Sequence, residues 1–263
     1  MQELVRFPAV AGTFYPSSRA ELGALVTSLL SEARPRDARC PKALVVPHAG
    51  YVYSGSIAAS GFARVATHGE RIERVVLVGP AHRVRVAGLV SPGVSHMRTP
   101  LGDVVVDLEA IATVPDIEPN PTAHAREHSL EVELPFLQKV APRAKVVPLA
   151  VGAADASLVG RVIQALWGGP ETIVVISSDL SHYLPYDVAR TADRRTADRV
   201  LALDPHPLAG EDACGATGIN GLIVAARGRG LSVELADLRN SGDTAGPRHE
   251  VVGYGCFALY EAS

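Results

Sequence analysis

The chain is poor in sulfur and in aromatic rings. Of its 263 residues three are cysteine, two methionine and one tryptophan, and Phe, Tyr and Trp together make up 5%. Cys40, Cys214 and Cys256 are odd in number and show no CxxC spacing, which excludes a disulfide framework and a structural zinc knuckle. Any functional cysteine here acts singly. A charge imbalance is also lacking: 25 Lys and Arg against 28 Asp and Glu leave a net −3. That gives no electrostatic ground for nucleic acid or an anionic membrane as partner. No apolar run approaches the roughly 20 residues of a membrane span. The opening MQELVRFPAV carries an acidic residue and has neither a basic start nor an extended apolar stretch, so no secretory signal is expected and a cytoplasmic location is. A Walker loop, a G-x-G-x-x-G after a strand and a G-x-S-x-G elbow are all missing, so neither nucleotide binding nor a hydrolytic triad is supported.

What the chain does have is a set of short, β-branched apolar runs without polar alternation. With 47% apolar and 20% charged residues it is of globular composition, long enough to bury a sizeable core, and is expected to form one α/β domain over residues 1–263. Three of the runs stop abruptly and are followed by histidine: Ala43–Pro47 before His48, Arg74–Gly79 before His82, and Thr172–Ser177 before Asp179 and His182. Unalternated Val, Ile and Leu are the pattern of strands buried on both faces, hence of a parallel or mixed sheet under helices. Ligands bind such sheets off the carboxyl ends of the strands. Three strands that deliver three imidazoles and a carboxylate to that edge predict one polar site, suited to a divalent metal or to acid–base chemistry.

Helices are expected at 19–31, from Ser54 as cap through Ala66, after Asp107, over 127–140 with a bend at Pro135, at 155–167, 186–203 and from the glycine-rich turn at 215 to 230. A polar connector is expected at 34–41, turns at 91–102, a loop at 115–121, a further strand at 146–151, and closing strands at 232–238 and 251–260.

Each candidate site residue has an ordinary reading beside the functional one. His48 in VVPHAGY and His82 in VGPAHRV can simply hydrogen-bond their loops, but the same presentation twice favours ligands. Asp179 and His182 in SSDLSH form an acid–base couple, or a turn cap and a solvent-facing imidazole. Cys214 in DACGATG is a buried small hydrophobe, or an accessible thiol that completes a soft site with two histidines. His124 and His128 are four apart beside Glu127, but HAREH is not HExxH. They read as loop or helix-start residues, with Glu127 and His128 lining a pocket as the alternative.

Taken in order, PHAGY at 47–51, GPAH at 79–82, EHSLEVELPF at 127–136, SSDLSH at 177–182 and CG at 214–215 make a set that resembles the MEMO family, called AmmeMemoRadiSam system protein B in prokaryotes. The resemblance runs from GTFYPSS at 12–18 to the GYGCFAL ending. It implies a single-domain three-layer α/β sandwich, with a mixed, largely parallel sheet flanked by helices, similar to class III extradiol dioxygenases. It also implies a pocket lined by His48, His82, Asp179, His182 and Cys214, in which His48, His82 and Cys214 hold a non-haem metal, Fe(II) or else copper, and Asp179 and His182 move protons. Those dioxygenases use two histidines and a carboxylate, so a thiolate in the third place argues against ring cleavage. A metal-dependent redox enzyme of unknown substrate follows, with a non-catalytic adaptor that binds a metal or a peptide as the alternative. Eukaryotic relatives are associated with phosphotyrosine peptides and cell migration. The system name implies radical-SAM and AMMECR1-like partners in a modification pathway.

Overall fold

A computed structural model describes residues 4–33 and 39–261. Residues 34–38 of the expected polar connector lie outside the described residues. The strands are β1 (Val5–Arg6), β2 (Ala43–Val46), β3 (Arg74–Pro80), β4 (Leu89–Ser91), β5 (His96–Thr99), β6 (Gly102–Val105), β7 (Ile117–Pro119), β8 (Lys145–Val151), β9 (Thr172–Ser177), β10 (His182–Leu184), β11 (Ser232–Asn240) and β12 (Val251–Tyr260). The helices are α1 (Arg19–Glu32), α2 (Tyr51–Ala66), α3 (Leu108–Ala112), α4 (Pro121–Ala125), α5 (Leu134–Val140), α6 (Ala156–Ala165), α7 (Tyr186–Leu201) and α8 (Ala216–Ala226).

The main sheet runs β10-β12-β2-β9-β3-β8-β4-β7, with β11 also paired to β12. Its centre, β2-β9-β3-β8, is parallel. Antiparallel β12 and β4 flank it on either side. The sheet is therefore mixed with a parallel heart, as the unalternated runs predict.

Side chains alternate across β2, β3 and β9 into two separate cores. Leu44, Val46, Val75, Leu77 and Val175 pack with Leu22 and Val26 of α1, Ile57 and Phe62 of α2 and Phe136 of α5. Ala43, Val45, Val76, Val78, Val174 and Ile176 pack with Val159 and Val162 of α6, Val200 of α7 and Ile219 and Leu222 of α8. Helices thus cover both faces of the sheet. Each fully buried Val, Leu or Ile contributes about 1.5–3 kcal/mol of burial free energy. No helix among the described residues is long and apolar enough to cross a membrane.

Several local expectations change. The stretch from Glu127 is not a helix bent at Pro135. It is an irregular segment with a short 3-10 turn at Glu131–Glu133, and Pro135 sits in the first turn of α5, where a missing N–H costs nothing. Ser54 is not the cap of α2, which starts at Tyr51 behind Gly50, and the Ser54 hydroxyl bonds the Ala49 carbonyl instead. The turn-rich and loop stretches contain β5 and β7. Asp107 does cap α3, accepting from the Ala110 N–H.

Candidate functional site

Strands β2, β9 and β3 are neighbours and run parallel, so their carboxyl ends meet at one edge. Each delivers a polar residue two positions past its end: His48 after Val46, Asp179 after Ser177, His82 after Pro80. The turns after β2 and β9 are sewn together. The His48 backbone N–H donates to Asp179 Oδ1 at 2.8 Å, and the Ser178 N–H donates to the Val46 carbonyl at 2.8 Å. The Cys214 loop latches on through its own N–H to the Asp179 carbonyl, 3.2 Å, and through the Gly215 N–H to Ser178 Oγ, 2.9 Å. A Cβ at Gly215 would lie 2.6 Å from Ser178 Cβ, so only glycine lets the loop approach this closely.

The second half of the site comes from the EHSLEVE segment. Glu127 accepts four N–H groups: the His82 backbone at 2.5 Å, His82 Nδ1 at 2.9 Å, and the backbones of His128 at 2.9 Å and Ser129 at 3.0 Å. Burial opposes its charge, but these donors, led by His82, hold the carboxyl well below the ordinary glutamate range. A carboxylate at Nδ1 means that His82 carries its proton there and turns a bare Nε2 away. The segment is fixed from behind by buried Arg6, whose guanidinium donates to the His124 carbonyl at 3.1 Å and the Glu127 carbonyl at 2.6 Å and pairs with Glu131. Glu131 also accepts the N–H groups of Ala9 and Val10 and the Tyr15 hydroxyl.

His48, His82 and His128 converge. Each offers one ligand atom, and these atoms lie within 4.8 Å of one another. The rings of His82 and His128 stack at 4.8 Å, and that of His48 stands edge-on to both at 5.3 and 5.5 Å. Burial, with repulsion from the other imidazoles, lowers His48 to about 3 and His128 to about 4, so both are neutral bases near pH 7. His128 Nδ1 is buried and has no hydrogen-bond partner, for Glu127 Oε1 at 3.4 Å lies outside bonding geometry. Donors about 2.1 Å from one tetrahedral ion stand about 3.4 Å apart, so the widest pair of the trio would close by up to about 1.4 Å to share a transition metal.

All five residues expected from sequence line one cavity of about 960 Å³, together with His128, Phe14, Tyr53 and Arg83. Cys214 stands outside the three-histidine group but beside it, its Sγ 3.3 Å from His48 Nε2. Burial, then the Asp179 charge, pushes this thiol up to about 12. Asp179 is buried and its carboxyl is raised, desolvation outweighing the His48 N–H and the nearby imidazoles. Among the described residues no hydrogen bond joins Asp179 to His182, and the two share only a place on the cavity wall. His124 turns away and donates its Nε2–H to the Val90 carbonyl, 2.9 Å, buried. His128 lines the cavity and Glu127 stands behind it, close to the alternative the sequence left open. Sequence reasoning missed Ser129, met Ser177 only in the unsupported hydrolytic triad and gave Glu133 no role, since buried polar residues in an irregular turn or at a strand end leave no periodic signal.

A family model described as "Memo-like protein" matches residues 6–258. The chain is similar to a MEMO1 family protein of Aquifex aeolicus, 38% identical over 95% of this chain and 97% of the relative. A MEMO1 family protein of Caldivirga maquilingensis is 34% identical over 98% of this chain and 100% of the relative. Among solved structures, uncharacterized protein JW3007 of Escherichia coli K12 overlaps 82% of this chain and 99% of its own at TM-score 0.46 and 14% identity. With a match spanning all five motifs and nearly the whole length, the chain belongs to the Memo-like protein family.

Proposed function

We propose that this protein is a metal-dependent redox protein that holds Fe(II), or copper in its place, through His48, His82 and His128, with Cys214 as the further donor beside them. The observation that carries the reading is three imidazoles with ligand atoms within 4.8 Å on the wall of a 960 Å³ cavity. Imidazole suits iron, copper, zinc and nickel, whereas magnesium and calcium prefer oxygen, and a thiol at 3.3 Å from His48 Nε2 moves the preference toward the redox-active members. Such an ion supplies electron transfer and activation of small molecules. The chain's own groups supply the rest: Glu127 orients His82, Asp179 fixes the His48 turn, and His182 faces the cavity where it can exchange a proton with a bound organic molecule.

The test is metal content and affinity of anaerobically loaded protein. Wild type is expected to take up Fe(II), with His82→Ala and His128→Ala each weakening uptake at least tenfold and Cys214→Ser weakening it less. No uptake by wild type, or uptake unchanged in both histidine variants, refutes the reading.

A further inference from the structure

Behind His48 lies a group that the metal reading does not use. Ser177 Oγ sits 2.8 Å from His48 Nδ1, 2.6 Å from the Ser129 carbonyl and 3.0 Å from Glu133 Oε1. Ser177 and Glu133 are both fully buried, and Glu133 Oε2 has no hydrogen-bond partner. A hydroxyl has one hydrogen to give. A carbonyl only accepts, so at 2.6 Å that hydrogen goes to Ser129. The oxygen of Ser177 must then accept from both remaining neighbours. His48 therefore carries its proton on Nδ1, which leaves Nε2 bare toward the cavity and Cys214. For the same reason Glu133 carries a proton on Oε1, since an ionised carboxylate would set two acceptors against each other at 3.0 Å.

The surroundings agree. No Lys or Arg pairs with Glu133 among the described residues, Asp179 is a nearby carboxyl, and Tyr51 spends its hydroxyl on the Val132 carbonyl. Burial, reinforced by Asp179, pushes Glu133 well above the ordinary glutamate range despite the Ser177 hydrogen bond. The contrast with Glu127, six residues earlier, is chemical. Glu127 is an anion satisfied by four N–H groups and backs His82, while His48 is backed by a hydroxyl and a neutral acid.

We propose that Glu133 is a positioning residue held as the neutral acid, which through Ser177 locks His48 in the tautomer that presents Nε2 to the cavity, without placing a second buried negative charge behind the histidine cluster. The proposal rests on His48 as a cation donor, but its first test does not. In metal-free, ¹⁵N-labelled wild type at neutral pH, the His48 imidazole is expected to show a protonated Nδ1 and an unprotonated Nε2. Infrared difference spectra of wild type against Glu133→Gln should show a carboxylic acid carbonyl band that the variant lacks. With cobalt(II) as probe, Glu133→Gln should keep the affinity within about threefold, because its amide N–H can donate to Ser177 Oγ as the acid does. Ser177→Ala, which removes the acceptor for Nδ1, should lose tenfold or more.

A His48 proton on Nε2 in wild type, or no acid band, overturns the proposal and leaves the metal reading standing. The expected tautomer and acid band in a protein that binds no cobalt(II) support the lock and overturn the metal reading instead. Should Glu133→Gln fail to fold, ¹³C-carboxyl-labelled glutamate in wild type decides: a buried glutamate carboxyl at the neutral-acid shift at pH 7 supports the proposal, and ionised shifts for all glutamates overturn it.

Discussion

Replacing Glu127 by glutamine keeps the shape of the side chain and removes its charge. In the native protein that carboxylate takes four N–H groups, from the His82 backbone and ring and the His128 and Ser129 backbones. A hydrogen bond to an ionised group contributes about 1.5–3 kcal/mol, a neutral one about half that. With its amide oxygen in the place of Oε1, glutamine can serve three donors at the lower strength, while its NH₂ faces the His82 backbone N–H as donor against donor. The loss should be about 3–5 kcal/mol at pH 7, read from urea unfolding. The pH dependence has a definite sign. Because the folded carboxyl is held below the unfolded value of 4.5, its contribution is complete above that pH and fades below it, as the unfolded chain takes up a proton that the folded one refuses. The gap between wild type and Glu127→Gln should therefore shrink by about 1.4 kcal/mol between pH 7 and pH 3.5. A variant within about 1 kcal/mol of wild type at pH 7, or a gap that widens in acid, refutes the reasoning.

His124, buried away from the cavity and lowered to about 4 by desolvation, gives a cleaner pH test. Below its unfolded value of 6.5 only the unfolded chain binds the proton, so His124→Gln should gain about 2 kcal/mol relative to wild type between pH 7.5 and pH 5 in denaturation experiments. A constant difference across that range counts against it. The thiols offer a third test. Burial raises Cys40 to about 11, Cys214 to about 12 and Cys256 further still. Cavity access alone would make Cys214 the readiest target, but thiolate fraction governs rate. Iodoacetamide at pH 8 should label Cys40 about tenfold faster than Cys214 and leave Cys256 intact. Mass spectrometry that finds Cys214 modified first would reverse that order.

The sheet and its functional edge were legible because the relevant signals are local. A β-branched run that ends at Pro47-His48 or Gly79-Pro80 states both that a strand is buried and where its carboxyl end lies. Asp107 was legible as a cap for the same reason. His128 was harder to place because the segment around it has no period of its own. Its course is set by Arg6 from another part of the chain and by the N–H groups gathered on Glu127. The three glutamates of EHSLEVE look alike in sequence and differ in surroundings: Glu127 gathers N–H donors, Glu131 pairs with Arg6, and Glu133 is buried against the Ser177 hydroxyl. Their order in the segment does not distinguish them, since a decisive partner of each arrives from elsewhere: His82 for Glu127, Arg6 for Glu131 and Ser177 for Glu133.

Chain order gives β12 a further meaning. This strand, Val251–Tyr260, comes after every other described strand in chain order, yet it pairs with β2 and separates that strand from β10 and β11. Its Gly253 N–H donates to the Ser181 carbonyl, and its Gly253 carbonyl accepts from Leu180, so the far end of the SSDLSH turn gains these two bonds only once the strand arrives. Until then β2 has an open edge and the Asp179 turn lacks one wall. A nascent chain short of residue 251 therefore holds an unfinished cavity wall, and the site takes its final shape only after this strand has been made and has docked on β2.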